Sequence, residues 1–357
     1  MSALSVYAGP VALARIREEG IQARQFEFML GASGGPKWFV LRGLDRYLFG
    51  EFLRDREQPL YTLGSSAGAW RMSCLASLDP VASIERLADL YSHEQYSARP
   101  DMEEITRSAK TMLRQVFSNG DVLAIANNKS FKTHIIADRA LGLAATGNEL
   151  LQGMHLALTA AANCVSRRSL SWFFRRCVFS TDPLTSPWHG LPDLATEYYP
   201  LTAANLAQVM LATGSIPFAL AAVHHIQGAV NGVYWDGGIT DYHLDLPCRG
   251  EGLVLYPHFS ADLIPGWFDK KLPWRQVNKA NYDNVVLLCP SAEFVAGLPY
   301  GKISERSDFR TMAYPERVGY WQKVLDQSQL LADEFFSMVE NGTGLDSIRP
   351  LSERPGR

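Results

Sequence analysis

The sequence predicts an α/β fold built on a mostly parallel sheet that helices cover on both faces. Three observations carry that expectation. Short apolar runs lack the strict alternation of a half-exposed sheet, stretches of helical spacing separate them, and a strand–turn–helix plan appears twice about thirty residues apart.

The first β-rich run is Gln25 to Leu30, and it stops at Gly31-Ala32-Ser33-Gly34-Gly35-Pro36-Lys37. Trp38, Phe39, Leu41, Leu44, Tyr47 and Leu48 then recur at helical spacing, with Pro36 where a first turn tolerates it. The plan repeats at Pro59 to Leu63, where Gly64-Ser65-Ser66-Ala67-Gly68 leads into Ala69, Trp70, Met72, Cys74, Leu75 and Leu78. Helical patterns follow at Val81–Tyr91 and Met102–Phe117, strands at Thr133–Asp138 and Arg176–Thr181, and further helices at Leu150–Ala162 and Ala203–Ala212. Late strands are expected at Gly232–Asp236, Gly252–Pro257 and Asn284–Cys289, and one last helix from about Pro315 to Glu340. No repeat, low-complexity block or linker divides the chain, so one domain over 1–357 is expected. Its parts would be a motif-bearing core of about 26–290, a mainly helical extension of about 291–341 and a loose tail over 342–357.

Composition excludes several classes. Hydrophobic residues at 47% and charged residues at 20% suit an ordinary globular protein, and a net charge of −3 gives nucleic acid no basic face. Five scattered cysteines without a C-x-x-C pair make neither a disulfide framework nor a zinc site. The first twenty residues lack a basic n-region and a long apolar h-region, so a cytoplasmic location is expected. Leu206 to Val223 is apolar and uncharged, but Gly214-Ser215-Ile216-Pro217 interrupts it, which predicts two core segments around a turn rather than a membrane span.

Three motifs carry chemistry. Gly64-Ser65-Ser66-Ala67-Gly68 fits G-x-S-x-G, and its strand–turn–helix setting is that of a nucleophile elbow, with Ser66 exposed on a sharp turn. Gly31 to Lys37 is rich enough in glycine for successive N–H groups to face one cavity, an oxyanion hole built from Gly34 and Gly35 with Pro36 and Lys37 nearby. The N–H of Ala67 would add a further donor. This segment is no P-loop, because Pro36 precedes Lys37 and Trp38 follows it, and no dinucleotide fingerprint, because Ser33 stands at the second glycine. A merely tight strand-to-helix turn stays open for it. Asp236-Gly237-Gly238 ends a strand and presents a carboxylate beside two glycines, although Asp-Gly is also ordinary turn chemistry.

Together, 31-GASGGPKW-38, 64-GSSAG-68, 212-ATGSIPFAL-220 and 236-DGG-238 resemble the patatin-like phospholipases, over about Phe26 to Asp241. The resemblance implies a three-layer α/β/α sandwich and a Ser–Asp dyad without histidine, Ser66 being the nucleophile and Asp236 its partner. It also implies fatty-acid esters as substrates, whether phospholipids, lysophospholipids or acylglycerols, and it requires no metal or cofactor. Ala32 and Ser33 depart from the family's run of three glycines, which leaves open which N–H groups form the hole. An α/β-hydrolase with a Ser-Asp-His triad is the competing enzyme, with His243, His258 or the His224-His225 pair as base; each histidine also reads as a surface or loop residue. A non-catalytic lipid- or protein-binding relative is the competitor outside enzymes.

Two segments mix aromatics with cations, as a bilayer interface does: Arg167–Phe179 and Pro265–Arg275. In the second, Trp267, Phe268 and Trp274 are the residues expected to meet lipid, and peripheral membrane contact follows from them. Oligomeric state is not legible in the sequence.

Overall fold

The computed structural model describes residues 2–142 and 149–356. In chain order, β1 (Leu4–Ala8), α1 (Pro10–Glu19), β2 (Phe26–Gly31) and α2 (Arg42–Tyr47) lead to β3 (Leu60–Ser65) and α3 (Ala67–Leu75). Helices α4 (Pro80–Ser92), α5 (Met102–Val116) and α6 (Asn119–Asn127) precede β4 (Phe131–Ala140), α7 (Glu149–Val165), β5 (Phe174–Ser180) and β6 (Thr196–Pro200). Then come α8 (Leu206–Gly214), β7 (Val233–Asp236), β8 (Leu253–Pro257) and β9 (Val285–Pro290). Helices α9 (Ala292–Gly297), α10 (Asp308–Thr311), α11 (Tyr314–Gln327) and α12 (Gln329–Asn341) and a short β10 (Arg349–Pro350) complete the order.

Among the described residues, ten strands form one sheet in the order β10-β1-β9-β8-β2-β3-β4-β5-β6, with β7 paired to β4. The central run from β9 through β8, β2 and β3 to β4 is parallel, whereas β1–β9, β4–β5 and β4–β7 are antiparallel. The fold is thus a mixed, mostly parallel sheet with flanking helices. Strands β2, β3, β8 and β9 are buried almost throughout, which explains why their sequences run apolar without alternating. Helix α3 lies against β2, β3 and β4, and α8 against β4 and β7. Among the described residues no helix is long and apolar enough to cross a membrane, and Leu206–Val223 divides into α8 and a turn.

The structure departs from the sequence expectations in several places. The stretch after Pro36 is a 3-10 helix over Gly35–Leu41 before it becomes α2, and it ends as a π-helix over Leu48–Phe52. The expected last helix is two, broken where the buried Ser328 hydroxyl accepts the Gly43 N–H at 2.9 Å. The expected loose tail is corrected over Ile348–Leu351: both of those side chains are buried, and Arg349–Pro350 extends the sheet beside β1. Strands β1 and β6 and helices α1 and α6 had no expected counterpart.

Glycine sets how closely α3 can approach β2. A Cβ on Gly68 would lie 1.9 Å from the Gly31 carbonyl oxygen, and one on Gly31 would lie 2.6 Å from that of Gly68. Both neighbours are backbone, so relief requires the helix to shift. Gly68→Ala is expected to cost about 1–3 kcal/mol or more. A clearly lowered melting temperature, together with loss of any activity that depends on the following turn, is the outcome to check; parent-like melting would show that the helix moves freely.

Candidate active site

Strand β4 is the template on which the site is built. Its first half pairs with β3, in a register that sets Ser65 against Ile136, and its second half pairs with β7, setting Asp236 against Ala137. With β5 holding the other edge, β3 and β7 meet end to end, and their last residues come together. The Ser66 hydroxyl donates to Asp236 Oδ2 at 2.7 Å. Both side chains are buried.

Ser66 occupies φ 53, ψ −129, a conformation that a residue with a Cβ seldom adopts. Its surroundings hold it there. The Ser66 N–H donates to Thr213 Oγ1 at 2.9 Å, that hydroxyl donates to the Ile136 carbonyl at 2.6 Å, and the Ser66 carbonyl accepts the Ala69 N–H at 2.9 Å. Behind the turn, Arg71 of α3 is fully buried and binds Asp45 of α2 through two 2.7 Å hydrogen bonds.

Asp236 is fixed as firmly. Its N–H donates to the Ser215 carbonyl at 2.9 Å, and its Oδ1 accepts the Gly238 N–H at 2.7 Å. Two residues on, Thr240 donates from N to the buried Asp138 and meets it again through Oγ1, and Asp241 takes a two-pronged contact from the buried Arg176 at 2.6 and 3.0 Å. Burial pushes the Asp236 carboxyl up to about 6, against the opposing pull of the Ser66 hydroxyl, the Gly238 N–H, Arg306 and Lys270. A carboxyl near 6 is a far better proton acceptor at neutral pH than one near 4.

The histidines are placed elsewhere. His243 and His258 both lie in loops, as one of their two readings had it, but they are buried, which corrects the surface reading. His243 Nδ1 accepts the Ile264 N–H at 2.9 Å, and His258 Nδ1 meets the Ser260 backbone at both its carbonyl oxygen and its N–H. Burial draws His258 down to about 3, so it stays neutral. His224 and His225 are exposed, and His225 meets Asn231 at 2.9 Å. Asp236 Oδ2 accepts from the Ser66 hydroxyl and Oδ1 from the Gly238 N–H.

Two cavities open at Ser66. One, of about 390 Å³, is walled by Gly34, Gly35, Lys37, Asp236, Gly238 and Arg306 among others. The second, of about 690 Å³, is mostly apolar, with Trp38, Trp70, Ile105, Met112, Met210 and Phe309 in its wall. Ser66, Gly35, Ile216, Pro217, Trp267 and Arg306 belong to both, while Ala67 lines the larger. Gly35 has φ +56, which suits glycine, and a Cβ there would approach Tyr91 Oη and Arg306 Nη2 at 3.5 and 3.8 Å. The Ser33 N–H is committed to the Tyr242 carbonyl at 2.9 Å, and its hydroxyl donates to Ser65 Oγ at 2.9 Å. Gly64 packs on the Ala69 backbone and Gly237 on the Ile136 carbonyl, positions where a Cβ would collide. Among the described residues, no group of three or more His, Cys, Asp or Glu side chains could hold a metal.

The aromatic–basic segment divides into three environments. Asp269, fully buried, accepts from Asn163 of α7 at 2.7 Å and from the Gly266 N–H at 3.0 Å, which anchors the segment to the body of the protein. Trp267 and Lys270 consequently face the smaller cavity, and Lys270 Nζ lies 3.8 Å from the Tyr242 ring centroid. Phe268 is half-buried and packs against the cluster of Val233, Trp235 and Ile239. Trp274 is 63% exposed. In the other segment Arg176 is fully buried, whereas Trp172 is 75% exposed.

Sequence reasoning missed Arg306, Lys270 and Thr213 as parts of the site. Thr213 stands in the 212-ATGSIPFAL-220 segment and could have been suspected there. Lys270 stands in the sequence only as one of the cations of the Pro265–Arg275 segment, and nothing local marks Arg306.

The family model for patatin-like phospholipase matches residues 33–243, more than half of the chain and a span that includes Ser66 and Asp236. The crystal structure of VipD from Legionella pneumophila is similar at 13% identity and a TM-score of 0.37, covering 93% of this chain and 70% of that one. No curated protein matches in sequence.

Proposed function

Because the chain belongs to the patatin-like phospholipase family, we propose that it is a lipid acyl hydrolase that cleaves carboxylic esters of fatty acids through an acyl-enzyme on Ser66. One observation carries the reading. A serine in a strained turn donates a 2.7 Å hydrogen bond to a buried carboxylate at the junction of an apolar cavity and one that charged side chains line.

In the proposed reaction the acyl chain enters the larger cavity and the alcohol portion the smaller. Ser66 Oγ attacks the ester carbonyl carbon while its proton passes to Asp236. Gly34, Gly35 and Ala67 are the proposed N–H donors to the oxyanion, since the Ser33 N–H is already used. Collapse breaks the ester C–O bond, and Asp236 returns the proton to the departing alcohol. Water then attacks the acyl–Ser66 ester and gives its proton to Asp236. The acyl–Oγ bond breaks, Ser66 regains its proton, and one water has been consumed per ester cleaved. Peripheral contact with a lipid surface would fall to the exposed Trp274 and Trp172.

The test is turnover of a soluble short-chain ester across pH. With Asp236 as base, kcat/KM should rise about tenfold per pH unit below 6 and level off above it. A folded protein that hydrolyses no ester would overturn the proposal, and a limb set well above 7 would point to another base.

A further inference from the structure

Asp236 is aimed by the turn that follows it, and side chains tie that turn to the strand beneath. The Gly238 N–H reaches Asp236 Oδ1 at 2.7 Å, and the Asp241 N–H closes the turn on the Gly237 carbonyl at 2.9 Å. Thr240 connects the turn to Asp138 of β4, its N–H donating to Asp138 Oδ2 at 2.9 Å. Its Oγ1 lies 2.8 Å from Asp138 Oδ1 and 2.7 Å from Asp241 Oδ2. A hydroxyl carries one proton, so it can donate along only one of those two contacts. The other contact needs a proton that a carboxyl itself holds.

The surrounding charges decide which carboxyl that is. Arg176 of β5 donates to Asp241 from Nε and Nη2 at 2.6 and 3.0 Å, and its Nη1 and Nη2 also reach Asp193 at 2.8 and 2.7 Å. Arg167 lies 3.5 Å from Asp241 as well. Arg139, next to Asp138 on β4, pairs with Glu197 of β6. From β5, Cys177 is kept a neutral thiol by burial, and from β7, Asp236 offers no positive charge. Among the described residues, no cation therefore lies within ion-pair distance of the fully buried Asp138. Burial and the neighbouring Asp241 push its carboxyl well above the usual carboxylate range.

We infer that Asp138 is a neutral carboxylic acid in the folded protein at neutral pH, donating from Oδ1 to Thr240 Oγ1, whose own proton goes to the Asp241 carboxylate. The chain Asp138–Thr240–Asp241–Arg176 then ends in an ion pair, and each contact has its own proton. Asp138 is thereby a positioning residue. It acts through Thr240 on the turn from which the Gly238 N–H reaches Asp236. That role rests on the acyl-hydrolase reading, whereas the protonation of Asp138 does not.

The experiment compares the parent with Asp138→Asn, Asp138→Leu and Thr240→Ala. An infrared difference spectrum at about pH 8, parent minus Asp138→Asn, should show the C=O stretch of a protonated carboxyl, at a pH where Asp236 is ionised in both proteins. Absence of that band would overturn the inference. The melting temperature of Asp138→Asn relative to the parent should rise between about pH 5 and pH 8, because the unfolded parent releases this proton near the ordinary carboxylate value and the folded parent keeps it. A margin that stays level or falls over that range would mark an ionised carboxylate and overturn the inference too. On a soluble ester, Asp138→Leu and Thr240→Ala should lower kcat by about tenfold with KM little changed. Both should also move the acidic limb of kcat/KM upward by about one pH unit, since a loosened turn takes the Gly238 donor from Asp236. Asp138→Asn can donate and accept as the neutral acid does, so it should restore most of what Asp138→Leu loses. If Asp138→Leu fails to fold, Thr240→Ala, which cuts only the bridging hydroxyl and its methyl, carries the same test. An unmoved limb in the folded variants would overturn the positioning role. Absence of turnover by the folded parent would instead remove the hydrolase reading, with the infrared band and the melting margin still deciding where the proton sits.

Discussion

Ser66→Ala should hydrolyse esters more slowly than the parent by a factor on the order of 10⁴–10⁶, the usual scale for loss of an acyl-transfer nucleophile. The change removes one hydroxyl from a turn that other groups hold, since the hydrogen bonds to Thr213 and from Ala69 use the Ser66 backbone. The variant should therefore fold. Its stability should fall by about 1 kcal/mol above pH 6, where the ionised Asp236 loses a donor. Ser65→Ala is the adjacent control. Ser65 is buried and accepts a hydrogen bond from Ser33, so its loss should disturb packing and leave most of the turnover. Parallel rates and melting curves for both variants check the assignment, and a dead Ser65→Ala beside an active Ser66→Ala would shift the nucleophile by one residue.

Asp236→Asn should lower kcat/KM by about 10³–10⁴ while raising the melting temperature at neutral pH. The sign follows from the raised carboxyl. Its folded value of about 6 stands above the ordinary value of 3.8, so the folded protein holds this proton more tightly than the unfolded chain does. Stability consequently falls as pH rises from about 4 to about 6, and the cost is fully present above 6. Two pKa units correspond to about 3 kcal/mol, so an uncharged side chain of the same shape should recover about 1–3 kcal/mol once its own hydrogen bonds are counted. The advantage should be clear at pH 8 and absent near pH 4. A variant less stable than the parent at pH 8 would show that the carboxylate is better solvated in the site than its burial indicates.

What the sequence disclosed depended on whether the cause was local. The turns at Gly64–Gly68, Gly31–Lys37 and Asp236–Gly238 were legible because small residues in close sequence announce a tight backbone. Their meeting was not readable from spacing, because it depends on the register of β4 with β3 on one half and β7 on the other. The antiparallel direction of β7 was hidden for the same reason. Strand β6, half-exposed and five residues long, gave no pattern strong enough to read, and β10 is only two residues. The burial of the loop residues His243 and His258 is hidden because polarity says little about burial once backbone groups meet the ring nitrogens. Arg306 reaches the site from a segment without periodicity, and only the folded chain brings it beside Gly35 and Asp236. Phe268 and Trp274 look alike in sequence, yet one faces a core cluster and the other solvent.

The central claim is that Ser66 is a nucleophile activated by Asp236, and covalent labelling tests it most directly. The parent, Ser66→Ala and Asp236→Asn would each be treated with a serine-reactive fluorophosphonate, digested, and mapped by mass spectrometry. Attack by Ser66 Oγ on phosphorus, with loss of fluoride, should give the parent one phosphonate adduct on Ser66 and none on Ser65. Labelling should be absent from Ser66→Ala and slowed by orders of magnitude in Asp236→Asn. An adduct on another serine, undiminished labelling of Asp236→Asn, or an unlabelled and folded parent would contradict the account.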